Sequence, residues 1–246
     1  MRLDHFVVHV DADSEKLKQL ALDAAVAGMP CDPGKGKGTS GFKAANIWIG
    51  DQYLEIPWLK RPDGGGWKKE WVDLYNDGKR GAFCIFLLAN NIGELKKRLV
   101  AAGVPVSEEK VSFNIFGLFE KVMPWTCLHL PRLPGSNLEI SFIEYEPGVI
   151  EKWISKMSPN ARKNGIEGVF SCEIDVVDFQ GAKNFLQKVF PNSQSEADTF
   201  VANLERGHLK VKRGTKAGVT LFASSQNPSF VGKNFSFEDV NVTVVH

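Results

Sequence analysis

Apolar and polar side chains alternate along residues 3–10, and this pattern predicts a β-strand with two different faces. Phe6 and Val8 fall on one face of the strand. His5 and His9 fall on the other. Because helices must cover one face of a sheet, we expect the apolar face to pack against a helix and the histidines to point the opposite way.

The elements that follow complete a βαββ unit. A helix capped by Ser14 and ended by Gly28 has apolar residues at three- to four-residue spacing. Residues 42–49 and 52–59 then predict a hairpin around a tight turn at Gly50. The order of elements is therefore strand, helix, strand, strand.

The same order returns further along the chain. The predicted elements are a strand, a helix and two strands, at residues 82–89, 92–102, 120–130 and 137–144. The hairpin motif repeats as well, since YLEI at residues 53–56 resembles NLEI at residues 137–140. Internal repetition of this kind indicates two copies of one structural unit.

The predicted fold class is α+β, with paired βαββ units that form a curved, mostly antiparallel sheet around a cleft. We assign residues 1–62 to the first unit, residues 79–146 to the second, and residues 165–246 to a third, degenerate βαββ-like unit. The segment between the first two units is rich in glycine and contains Trp67 and Trp71. It is expected to be a connector or a lid.

Composition narrows the classes of partner. The 246 residues include 30 basic and 29 acidic side chains, so no strong field favours nucleic acid or an anionic membrane. The N-terminus has no secretory signal and no segment is apolar enough to span a membrane, which predicts a cytoplasmic protein. Four separated cysteines without a C-x-x-C pair are expected to be reduced core thiols.

Two carboxylates are predicted to share a sheet face with His5. If the apolar residues of each hairpin strand pack under the helices, Glu55 and Glu139 point to the opposite side. One imidazole with two carboxylates suits a divalent first-row metal such as Mn, Fe, Co, Ni or Zn, acting as a Lewis acid on chelating oxygens. The alternative is that both glutamates lie on an ordinary solvated sheet face.

The sequence resembles a known family at three places: LDHFVV at residues 3–8, NIWIGDQYLEI at residues 46–56 and LEI at residues 138–140. These runs are similar to the glyoxalase-like branch of the vicinal-oxygen-chelate superfamily, over roughly residues 1–145. The resemblance implies that His5, Glu55 and Glu139 bind metal. It implies lyase, isomerase or dioxygenase chemistry, with Glu55 or Glu139 as the catalytic carboxylate, and is compatible with a homodimer.

The fourth ligand position of that pattern falls on Cys84, where a buried neutral thiol is the expectation, or is taken over by His129. An incomplete ligand set matters because the superfamily also includes metal-free proteins of the bleomycin-resistance type, which sequester small molecules. The sequence therefore leaves open a metal-dependent enzyme and a metal-free binding protein. A third alternative is an interaction domain whose exposed Trp67 and Trp71 contact another protein.

Candidate ligand contacts are the aromatic and cationic residues that could border the cleft: Trp48, Tyr53, Arg80, Trp125 and, less directly, Phe116. The partner is expected to be a small organic molecule. The G-x-G-x-x-G match at residues 36–41 follows a helix and precedes a strand, the reverse of a dinucleotide-binding turn. No nucleotide cofactor is therefore predicted.

Overall fold

The computed structural model describes residues 1–110, 112–115 and 119–246, with side chains outside residues 113–121. Its helices are α1 (Ser14–Val26), α2 (Lys69–Asn76), α3 (Ile92–Ala101), α4 (Val149–Ile154) and α5 (Phe179–Val189). The strands of the first half are β1 (Arg2–His9), β2 (Lys37–Gly38), β3 (Phe42–Ile49), β4 (Gln52–Leu59), β5 (Gly81–Leu88), β6 (Ser107–Glu109), β7 (Ser112–Ile115), β8 (Phe119–Val122), β9 (Trp125–Arg132) and β10 (Glu139–Tyr145). Those of the second half are β11 (Ile166–Val176), β12 (Gln194–Ser195), β13 (Thr199–Asn203), β14 (His208–Arg213), β15 (Gly218–Ser225), β16 (Asn234–Phe237) and β17 (Val240–Val245).

The first sheet joins the two predicted units edge to edge. Its order is β2-β3-β4-β1-β5-β10-β9-β6, with β1 antiparallel to β5 at the centre. In each unit the opening strand pairs in parallel with the closing strand, as β1 does with β4 and β5 with β10. The α+β class and the paired units are therefore confirmed, and the sheet is mixed.

The apolar positions of the strands pack against the helices, as the alternation predicts. Phe6 and Val8 of β1 belong to one buried core that also contains Leu17 and Leu20 of α1. Asp13, one residue earlier than the predicted cap, accepts hydrogen bonds from the first backbone N–H groups of α1. The opposite face of the first sheet is here named the cup face.

The predicted strand at residues 120–130 is divided in the structure. Its start belongs to β8, which forms a separate hairpin with β7, and its remainder to β9. Pro124 lies between the two strands and lacks the N–H that a continuous ladder would use.

The C-terminal segment forms a seven-stranded mixed sheet of its own, in the order β12-β13-β14-β11-β15-β17-β16. Its centre repeats the pairing of the first sheet, because β11 is parallel to β14 and antiparallel to β15, which is parallel to β17. The apolar faces of both sheets contribute to the same core. The second half therefore supports the first through continuous packing.

One buried side chain connects the two sheets directly. Gln52 of β4 donates to the Leu3 carbonyl at 3.0 Å and to the Val169 carbonyl at 2.8 Å, and accepts from the Val169 N–H at 2.7 Å. A side chain in this position satisfies backbone groups that would otherwise be buried without partners. No helix in the described residues is long and apolar enough to cross a membrane.

Candidate functional site

Two rows of paired residues cross the cup face of the first sheet. One row runs through Trp48, Tyr53, His5, Phe86, Ser141 and His129. The neighbouring row runs through Asn46, Glu55, Val7, Cys84 and Glu139. His5, Glu55 and Glu139 therefore share one face, as predicted, but they occupy different places on it.

His5 is held firmly at the centre of this face. Its ring stacks between Tyr53 and Phe86, with centroids 4.6 and 4.3 Å away. Its Nδ1 lies 2.6 Å from Asp4 Oδ2, which also accepts a hydrogen bond from the Tyr145 hydroxyl at 2.9 Å. A carboxylate that holds the Nδ1 side of an imidazole fixes the orientation of the ring.

A β-bulge explains why Asp4 joins this group. The register between β1 and β5 shifts between Leu3 and His5, so strict alternation fails at Asp4. Asp4 is buried although the sequence pattern assigns it to the opposite face from His5. Sequence reasoning missed Asp4 because a bulge leaves no mark in the alternation of side chains.

Glu55 is half-buried, two residues beyond Tyr53 on β4. Burial raises the pKa of its carboxyl, and the nearby His5 offsets part of that rise. A carboxyl whose pKa is raised is a better proton donor partner for a neighbouring imidazole than an ordinary surface carboxylate.

Glu139 is the centre of a second polar cluster on the cup face. Its Oε1 accepts from the Ser141 hydroxyl at 2.8 Å and lies 2.7 Å from His129 Nδ1. Lys68 Nζ donates to both carboxylate oxygens at 3.0 Å, and the Trp71 indole N–H donates to Oε2 at 3.3 Å. The Glu139 carboxylate is thus fully engaged by protein groups.

Electrostatics keep this cluster charged. Burial alone would raise the pKa of Glu139, but His129 and Lys68 outweigh it and lower that pKa to about 2. The pKa of His129 is raised, because Glu109 and Glu139 outweigh the opposing effect of burial. His129 Nε2 lies 3.2 Å from Glu109 Oε2. Glu139 and His129 therefore form a buried ion pair.

The segment between the two units covers this cluster. Helix α2 lies on the cup face, where Trp71 packs with Val7, Cys84 and Phe86 in a second apolar cluster. Trp71 is only 7% exposed, and Trp67 is half-buried. The prediction that Trp67 and Trp71 are exposed is therefore wrong, because both indoles pack against residues of the protein's own cup face.

His9 is buried beneath the same cover. Its ring stacks on Phe83, with 3.3 Å between centroids, and is tilted against Trp67, with centroids 4.7 Å apart. Neither ring nitrogen has a hydrogen-bond partner among the described residues. Burial, assisted by Arg80, lowers the pKa of His9 well below its usual value, so the imidazole is neutral.

Comparison with solved structures identifies the fold. A hypothetical protein from Staphylococcus aureus superposes with a TM-score of 0.73 at 12% sequence identity, over 99% of this chain and 98% of its own. A mutant of 4-hydroxymandelate synthase from Streptomyces coelicolor, a vicinal-oxygen-chelate protein, has a TM-score of 0.55 at 10% identity, over 92% of this chain and 71% of its own. The chain has the vicinal-oxygen-chelate fold. This fold is shared with enzymes that act on small molecules.

Another similar structure is a mutant of methylmalonyl-CoA epimerase from Streptomyces coelicolor in complex with 2-nitronate-propionyl-CoA. It has a TM-score of 0.38 at 14% identity and covers 59% of this chain and 97% of its own. No family model and no curated protein matches the amino-acid sequence.

The metal site implied by the vicinal-oxygen-chelate fold does not fit the side chains present. Glu55 and Glu139 are three strand spacings apart, roughly 14 Å along the row. Their carboxylates could bind the same ion only if both side chains extended towards each other. Glu139 turns instead to Lys68, whose ammonium holds both carboxylate oxygens. No group of three or more His, Cys, Asp or Glu side chains in the described part of the chain is placed to hold a metal.

The fourth ligand position supports the same conclusion. Cys84 is fully buried, and burial, with the Glu139 charge, raises its thiol pKa well above the usual value. A thiol must lose its proton to bind metal. Cys84 is therefore a neutral core residue, as the sequence suggested.

The predicted ligand contacts are distributed unevenly around the cup face. Tyr53 is buried beside His5, and half-buried Trp48 packs on Tyr53 at 4.7 Å. Trp125 packs with Tyr145 and Trp153 at the edge of the apolar cluster that contains Trp71. Phe116 lies outside the described residues.

Arg80 is already engaged by the protein. Its Nε donates to Asp11 at 2.7 Å, and its guanidinium lies 3.6 Å from the Tyr75 ring centroid. These contacts hold the end of the segment that carries α2. Two surface cavities of about 290 and 330 Å³ border Met1 and Arg98, away from all of these residues, and hold none of the candidate chemistry.

Proposed function

We propose that the chain binds a small organic molecule on the cup face of its first sheet, and that binding uses protein groups in place of a divalent metal. The observation that supports this most directly is the pairing of the polar groups. Asp4 pairs with His5, and Glu139 pairs with His129 and Lys68. Rings between these pairs provide apolar walls, the combination that organic ligands require.

The experiment is a thermal-unfolding screen of small organic molecules with chelator-treated protein. A ligand that binds only the native state stabilises it, by about 2.7 kcal/mol at one hundred times its Kd. His5→Ala should lose the stabilisation by any hit, because the ring at the centre of the cup face is removed. His208→Ala, on the second sheet, is the matched control and should keep it. Hits that stabilise only after metal is added would contradict the proposal.

A second candidate, an isomerase or lyase that works by proton transfer, is favoured by the neighbourhood of His5 and Glu55. In this function His5 and Glu55 exchange protons with the ligand, and Asp4 is a positioning residue. Of the two glutamates considered catalytic from sequence, Glu55 is the one whose pKa is suited to this role.

This function is tested by following exchange of ligand C–H protons with deuterated water by NMR, with a hit from the screen. Glu55→Gln should slow exchange by about 100-fold or more, the usual contribution of a positioned acid or base. Asp4→Asn should shift the pH profile of exchange, because it changes the group that fixes the His5 tautomer. Equal exchange in all variants would rule out the proton-transfer function, and only the binding function would remain.

We propose that the second sheet supports the first sheet. The division of the chain into units at residues 1–62, 79–146 and 165–246 remains a prediction from the sequence. The face of the second sheet away from the core carries Glu173 between Lys210 and Lys212, at 3.1 and 2.7 Å. These ion pairs are typical of a solvated sheet face. A homodimer and a cytoplasmic location remain predictions from the sequence.

A further inference from the structure

The cup face already contains a cation that the protein supplies to itself. Lys68 Nζ lies 3.0 Å from each oxygen of Glu139 and 5.2 Å from the Trp71 ring centroid. An ammonium between a carboxylate and an indole is how proteins bind organic cations. Lys68 therefore occupies a place with the chemistry of a cation-binding subsite.

The charged groups around Lys68 favour another cation in its place if the Lys68 ammonium moves away. Glu139 is only 6% exposed, and Glu109 lies on the far side of His129. With Lys68 removed, two carboxylates would face one imidazolium. The cluster of Glu109, Glu139 and His129 would then carry an excess negative charge, and buried negative charge of this kind favours another cation at the subsite.

The Lys68 side chain can move away from Glu139 because of the backbone on either side of α2. Lys68 directly precedes α2. Gly66 upstream and Gly78 downstream have positive φ angles of 90° and 79°, and both stand in open space. Glycines in this conformation are free to change backbone angles, so the two ends of the segment can act as hinges.

We propose that the natural ligand of the cup face is an organic cation, an amine or quaternary ammonium attached to an apolar group, which displaces Lys68 from Glu139. This inference rests on the proposed binding function and specifies its ligand class. The ligand's charge replaces the Lys68 ammonium, while Trp71 and Phe86 provide its apolar contacts. Lys68 thus neutralises the site when no ligand is bound, and a ligand must compete with its ammonium for Glu139.

The test compares three probes that share a phenyl ring: 2-phenylethylamine, 2-phenylethanol and phenylacetate. Their affinities are measured by isothermal titration calorimetry with wild-type protein, Lys68→Met and Lys69→Met. Lys68→Met keeps the apolar stem and removes the competing charge. Lys69 is the matched control, since its exposed ammonium pairs only with Asp73 on the same helix among the described residues.

The amine should bind Lys68→Met about tenfold more tightly than wild type, if about one wild-type molecule in ten has Lys68 displaced. The alcohol and the acid should show no such gain, and Lys69→Met should match wild type. Adding Glu139→Gln to Lys68→Met should abolish the preference for the amine, because the carboxylate is its partner. Lys68→Arg, which keeps a cation in place, should bind the amine as weakly as wild type.

An equal gain for all three probes would overturn the inference, because it would mean that Lys68→Met only uncovers apolar surface. No gain for the amine would also overturn it. In both cases the binding function is judged separately by the ligand screen, so the two failures are distinguishable. Circular dichroism and thermal unfolding verify that each variant is folded, and Lys68→Gln replaces Lys68→Met if the latter is not.

Discussion

Glu55 and Glu139 stand in one row across the first sheet, with Val7 and Cys84 between them. The two carboxylates have opposite electrostatic surroundings. Burial raises the pKa of Glu55, whereas His129 and Lys68 overcome burial and lower that of Glu139 to about 2. Two carboxyl groups whose pKa values shift in opposite directions are suited to different roles.

The first prediction concerns metal content. Protein purified without a tag or chelator should contain no stoichiometric Mn, Fe, Co, Ni or Zn by elemental analysis, because its candidate donors are paired with one another. Adding these ions should leave Tm unchanged, since a ligand that does not bind the native state cannot stabilise it. The His5→Ala variant should give the same result. Metal present in wild type and lost in His5→Ala would contradict the prediction.

The second prediction concerns the pH dependence of the Glu139–His129 pair. Glu139 contributes stability above its unfolded pKa of 4.5, and this contribution is lost as pH falls towards about 2. His129 contributes stability below its unfolded pKa of 6.5, and this is lost as pH rises through its raised folded value. Both contributions are complete between pH 4.5 and 6.5.

Glu139→Gln should therefore lose the most stability, about 3 kcal/mol, in that window, because it removes the carboxylate that His129 and Lys68 share in a buried place. Urea unfolding at a series of pH values measures the difference from wild type. Glu173→Gln, which breaks a partly exposed ion pair on the second sheet, should cost about 1 kcal/mol or less. A loss for Glu139→Gln that is independent of pH would show that the pair is not charged.

The third prediction concerns His9. Its folded pKa is lowered, mainly by burial and to a smaller extent by Arg80. As the pH falls, the unfolded chain therefore gains this proton at a higher pH than the folded protein does. Stability is therefore lost as pH falls below 6.5 towards the folded value. His9→Phe keeps a ring and removes two buried nitrogens that lack partners among the described residues.

The His9→Phe variant should be as stable as wild type or more so at neutral pH, and its stability should fall less between pH 7 and 5. Chemical unfolding at both values measures this, with His208→Phe as the control on a half-exposed histidine. An unchanged pH slope would show that His9 acquires a proton in the folded protein.

The sequence predicted the paired units and the face on which His5, Glu55 and Glu139 lie, because alternation and internal repetition are local signals. It did not predict what covers that face. Lys68 and Trp71 belong to a segment with no periodic pattern, and their contacts with Glu139 span about 70 residues of chain. Such pairing depends on tertiary packing, which periodicity does not encode.

Two further differences have identifiable physical causes. The bulge at Asp4 breaks alternation without any Gly or Pro to mark it. The C-terminal segment was expected to be a degenerate βαββ-like unit, whereas its complete second sheet depends on parallel pairings such as β11 with β14 and β15 with β17. The second sheet is therefore larger than the βαββ-like unit that the sequence indicated.

The last prediction concerns the connection between the sheets. Gln52 satisfies the Val169 N–H and two backbone carbonyls, at distances of 2.7 to 3.0 Å. Gln52→Leu removes all three hydrogen bonds and leaves the Val169 N–H buried, which should cost about 3 kcal/mol in total. Gln52→Glu keeps the acceptor for Val169 N–H and loses the donor, so it tests which half of the amide matters. Hydrogen exchange should show faster exchange at Val169 in Gln52→Leu than in Gln52→Glu. Equal protection in the two variants would mean that packing of the common core alone holds the sheets together.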